Sequence, residues 1–155
     1  MAEETRRAAP RVIAAILVFG SVVGLIGNWR LAASAWRLGQ AATYTTAALS
    51  LPLFAWAAIQ LWRGRPNGRS WVTRLLAFQI PIAGAGRVSY EFSMGTSARL
   101  LAGDAVRRFG FDIGSSFNLL SPAAHGWIAG VNIVALGFWA YLVFTRPGRL
   151  RNAAP

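Results

Sequence analysis

The sequence predicts an all-α polytopic membrane protein, with four transmembrane helices in one bundle and a short interfacial amphipathic helix between the third and fourth. Two observations carry this. Ala41 to Trp62 holds no charged residue and stops at Arg63-Gly64-Arg65. Val12 to Trp29, between Arg11 and Arg30, and Ala123 to Phe144, followed by Arg146, repeat the pattern. A bilayer's hydrocarbon core needs about 20 apolar residues per helix, and arginines collect where such helices meet the cytoplasm.

The chain has 155 residues, 55% of them hydrophobic, and a mean hydropathy of +0.42, which leaves little material for a separate soluble domain. Residues 1–155 therefore read as a single membrane domain. All sixteen basic residues are arginines, against five acids, for a net charge of +11. In a soluble protein that balance would suggest nucleic acid. Here the arginines fall at the ends of apolar runs, where they orient the chain and meet anionic headgroups, so nucleic acid is not expected as a partner. With no cysteine and one histidine, a disulfide, a thiolate nucleophile and a protein-built metal site are all excluded from the expectation, and no cofactor is expected.

The first helix is expected at 12–29. Arg6, Arg7 and Arg11 before VIAAILVFGSVVGLIG resemble a signal peptide's opening, and Ala33-Ser34-Ala35 offers a small-residue cleavage site. Trp29 and Arg30 separate the two, and the run is long enough to span, so an uncleaved helix is the reading. The second helix, 41–62, is followed by a turn at Arg65-Pro66-Asn67-Gly68. Residues 71–94 are long enough for a third span but carry Arg74, Arg87 and Glu91. Crossing there leaves ten arginines on the inner side against five outside, and it places the basic C-terminal tail inside. The fourth helix is 123–144. Trp62, Trp71, Trp139 and Tyr141 sit at the interfacial level. In the outer loop, 95–122, Leu101, Ala105 and Phe109 recur every four residues, with Asp104, Arg107 and Arg108 elsewhere, hence the interfacial helix. The expected location is a bacterial-type cytoplasmic membrane, crossed several times, with both termini cytoplasmic.

Gly20 with Gly24, and Gly126 with Gly130, each form G-x-x-x-G, which lets backbones approach closely in helix packing or across a homodimer seam. Pro52 and Pro81 are expected to kink helices two and three. The sharpest chemical feature is Arg87 with Glu91, one helical turn apart inside a span, where unpaired charge is costly. Tyr90, Tyr44, His125 and Asn132 are expected at the same outer level, forming a polar cluster with them. Three roles suit that cluster. It packs helices in a structural or accessory subunit of a membrane complex, it binds a small solute or relays protons in a transporter that dimerises, or Glu91 and His125 form an acid–base pair acting on a lipid or isoprenoid. The first is the principal expectation. Lipid is the expected partner, with a second copy or a membrane-complex neighbour beside it.

Overall fold

The computed structural model describes residues 2–34, 38–85, 88–103, 106–119 and 127–145. It corrects the predicted fold class: the chain is mixed α/β, not an all-α four-helix membrane bundle. Helices α1 (Ala2–Ser34), α2 (Leu38–Trp62) and α3 (Pro66–Gln79) precede strands β1 (Pro81–Ala85), β2 (Val88–Gly103), β3 (Val106–Leu119) and β4 (Trp127–Asn132), and helix α4 (Ile133–Phe144) follows.

The first two helices fall where the charge-free runs lie. Within α1, Ala8–Ile26 is the one stretch among the described residues long and apolar enough to cross a membrane, and its place near the N-terminus is also where a signal sequence passes that test. Helix α2 holds Pro52 inside it and ends at Trp62, where Gly64 takes φ +69 and Arg65 N donates to Gln60 O. That left-handed glycine closes the helix. Pro66, expected in the turn, instead opens α3, where its missing N–H costs nothing. Arg69 donates from Nε and Nη2 to Leu142 O and caps the end of α4.

The predicted third span fails at Pro81. A proline lacks the N–H that a helix interior needs, and here it opens β1. Beyond it the sequence alternates with period two. Ser89, Glu91, Ser93, Gly95, Ser97 and Arg99 interleave with Tyr90, Phe92, Met94, Thr96, Ala98 and Leu100; later, Gly110, Asp112, Gly114, Ser116 and Asn118 interleave with Phe109, Phe111, Ile113, Ser115 and Phe117. That is strand periodicity. The predicted interfacial helix is likewise replaced: Leu101 lies in β2 and Phe109 in β3, and Ala105 lies outside the described residues. The predicted fourth helix starts at Ile133 only, because Trp127–Asn132 is strand and the Asn132 side chain accepts from Ala135 N as an N-cap.

The register of the β2–β3 hairpin runs from Tyr90↔Leu119 to Gly103↔Val106 and matches polar positions with polar ones, such as Glu91↔Asn118, Ser93↔Ser116 and Ser97↔Asp112. On its other edge, β2 pairs with two strands in turn. Val88–Tyr90 lie against β1, and Arg99–Gly103 lie against β4. β1 and β4 also pair with each other, and all these pairings are antiparallel. Three mutually antiparallel strands cannot close a ring unless one of them changes direction. β2 therefore turns through a large angle along its length, rolling the hairpin over.

The bend passes Gly95, whose φ is +88. Helix α1 crosses there at backbone contact, since a Cβ on Gly20 would lie 2.1 Å from Gly95 Cα. Gly20 is thus a close-approach glycine as its motif suggested, but its partner is a strand. Gly130 is no helix-packing residue either. It lies in β4, where a Cβ would meet Leu100 O at 2.5 Å. Gly24 is buried in α1, and Gly126 lies outside the described residues. Phe92 and Met94 of β2 join Leu17, Phe54, Leu76 and Leu142, one from each helix, in a single core. The Phe54 and Phe92 rings lie 5.3 Å apart.

Candidate functional site

The alternation of β2 sends Phe92 and Met94 to the helices, and Glu91, Ser93, Ser97 and Arg99 to the opposite face. Glu91 and Arg99 form an ion pair. Eight residues of extended strand span about 26 Å, so their contact is a direct measure of how far β2 bends and shows that the polar face is the concave one. Their side chains are only 16% and 19% exposed, and Ser93 and Ser97 between them are buried.

Two further residues close the cluster. Gln79, at the end of α3, accepts from Met94 N through Oε1 at 2.9 Å. Asn132 is the register partner of Arg99, and its backbone N donates to Ile80 O at 2.9 Å. The end of α3, the bend of β2 and the β4–α4 junction therefore meet at one place. Gln79, Ser97 and Asn132 are each about 1% exposed, yet Gln79 Nε2, Ser97 Oγ and Asn132 Nδ2 have no hydrogen-bond partner. Unpaired buried polar atoms are uncommon in folded proteins.

Of the predicted cluster, Glu91 pairs with Arg99, and Asn132 is the register partner of that same Arg99. Arg87 and His125 lie outside the described residues, so neither the Arg87–Glu91 pair nor a Glu91–His125 pair is seen. The one-turn spacing that joined Arg87 to Glu91 assumed a helix, and the helix ends at Gln79. Tyr44 falls on α2, in a stretch whose side chains are not described. Tyr90 points away from Glu91, as adjacent strand residues must. It packs against the core, its hydroxyl donates to Phe78 O at 2.5 Å, and burial pushes its pKa up. Arg99 and Ser97 were missed because they sat in an expected loop; the alternation from Ser89 to Arg99 was the signal that would have found them.

Chemically, the cluster is a charge pair with four neutral hydrogen-bonding residues, Gln79, Ser93, Ser97 and Asn132, beside it. Among the described residues, no three His, Cys, Asp or Glu side chains gather closely enough to hold a metal ion. Compared with known families, curated proteins and solved structures, the chain matches none.

Proposed function

We propose that this chain is a membrane-anchored accessory protein, in which α1 holds the fold at the bilayer and the interior polar cluster locks the rolled hairpin. The observation that carries this is the outer surface of α1. Val12, Phe19, Val22, Leu25 and Ile26 are all exposed, and only 33% of the candidate span is buried by the rest of the fold. A core helix of a soluble protein would be covered instead. Leu49, Leu53, Trp56 and Ile59 of α2 are exposed as well, and uncovered apolar area of this kind marks a contact with lipid or protein. Arg6 and Arg7 before the span, with Arg11 in its first turn, favour a cytoplasmic N-terminus.

Alkaline carbonate washing of membranes tests the anchor. The chain is expected to stay in the pellet with its first residues intact by mass spectrometry, and Phe19→Arg with Val22→Arg is expected to release it, since each central arginine costs roughly 2.5–3.5 kcal/mol on insertion scales. Recovery of the unaltered chain in the supernatant, or of a product cut near Ala35, would exclude the anchor.

A second reading is supported by the unpaired atoms of Gln79, Ser97 and Asn132, which suit a small solute bearing oxygen acceptors. Ser97→Ala separates the two. As part of a lock with an unsatisfied hydroxyl, it should leave stability unchanged or raise it by about 1 kcal/mol. A clear drop in Tm would show that the hydroxyl is paired in solution and would favour the solute site.

A further inference from the structure

Closure of the sheet leaves one edge open. Among the described residues, β1 lies between β4 and β2, β4 lies between β1 and β2, and β2 has β3 on one side with β1 and β4 on the other. β3 pairs with β2 alone. A fourteen-residue strand therefore presents an outer row of backbone N–H and C=O groups, a ready template for another strand. Helix α1 crosses the hairpin at Gly95, the register partner of Gly114, so residues 106–113 lie beyond the crossing. There Arg108 is exposed, and Phe109 and Phe111 are 67% and 59% exposed.

We propose that this edge pairs with the same edge of a second copy of the chain, antiparallel and centred on Gly110. A strand that meets itself about a twofold axis normal to the sheet makes a self-complementary interface and keeps both apolar faces on one side. The axis must then pass through a residue that faces its own copy. Charge selects which. An axis at Gly110 sets Arg108 at the register position of Asp112 of the second copy, and Phe109 beside Phe111, twice by symmetry. An axis at Asp112 or Arg108 would oppose like charges. One at Phe109 sets Arg107 against Phe111 and Arg108 against Gly110, and one at Phe111 sets Asp112 against Gly110. Only Gly110 matches opposite charges and aromatic neighbours together, both of which favour cross-strand pairing. The pairing does not require α1 to lie in a bilayer, so its test and the carbonate wash can fail separately.

The chain has no cysteine, so single-cysteine variants report the register cleanly. A Cβ at Gly110 meets nothing nearer than Arg99 Nε at 3.8 Å, so Gly110→Cys is accommodated. In the full chain, purified in detergent and mildly oxidised, Gly110→Cys is expected to form a disulfide-linked dimer, because residues facing across the axis have Cα atoms about 4.5–5.5 Å apart. Arg108→Cys should not, because its own copy is then about four residues away along the strand, roughly 13 Å. Sedimentation equilibrium supplies a second measure. Arg108→Asp and Asp112→Arg should each raise the dimer Kd about tenfold, and the two together should restore it. A chain that is monomeric at all concentrations, equal cross-linking at both positions, or no rescue by the double reversal would overturn the proposal.

Discussion

Gly20→Ala is expected to cost at least about 3 kcal/mol and to lower Tm by roughly 10 °C, among the largest effects of any single methyl group in this chain. The added carbon would lie 2.1 Å from Gly95 Cα and 2.2 Å from Gly95 N. Both are backbone atoms, so no rotamer change relieves the clash. Either α1 lifts from the sheet, which uncovers Leu17 and Met94, or the bend at Gly95 opens. Gly95 itself holds φ +88, a conformation that side-chain-bearing residues rarely adopt, so the bend depends on glycine there. Gly137→Ala is the matched control. It sits within α4 with nothing within 4 Å of the new carbon, and it should gain about 0.5–1 kcal/mol from the better helix propensity of alanine. Thermal unfolding of the two variants in the same detergent reads the contrast. Equal Tm values would mean that α1 does not cross β2 at this point.

Glu91→Ala and Arg99→Ala are each expected to cost about 3 kcal/mol, the lower end of the range for breaking a buried ion pair, because both side chains keep a little solvent contact. The two losses should not add. Each single already loses the attraction between the two charges, so the double variant should cost little more than either single, with a coupling approaching about 3 kcal/mol. Glu91→Leu with Arg99→Leu should recover more, since an apolar pair carries no desolvation penalty. Because the pair joins the two ends of the bend, either single variant should also speed amide exchange at Ala83–Ala85 and Ile128–Val131, where β1 and β4 hold β2 in its rolled form. Strictly additive losses would show that the two side chains do not meet.

The parts of the fold legible in the sequence were those set by local composition. The charge-free run closed by Arg63 marks α2, and the run after Arg11 marks α1, because an apolar helix and its polar end are written in consecutive residues. The site was half legible. Glu91 and Asn132 stood out as polar groups in apolar surroundings, and both belong to the cluster. Arg99, which meets both, does not stand out, because a helical period ties Glu91 to Arg87 and places Arg99 in a loop. Pro81 and the two-residue alternation after Ser89 mark strands, whereas segment length and the balance of arginines favour a span. A membrane-spanning helix and a stretch that joins a short helix to a strand can share the same length and mean hydropathy; only the period tells them apart.

What the sequence determined by itself is therefore local: where apolar helices run, where glycine permits close approach or a positive φ, and which strand positions are polar. Tertiary structure decided which of these meet. The bend of β2 brings Glu91 to Arg99, α1 finds Gly95 opposite Gly20, and Asn132 reaches Ile80 across some fifty residues of chain. The reason is physical. Side-chain periodicity assigns a residue to a face, but the curvature of that face and the partner laid against it depend on pairings between distant segments. No window of consecutive residues contains those pairings.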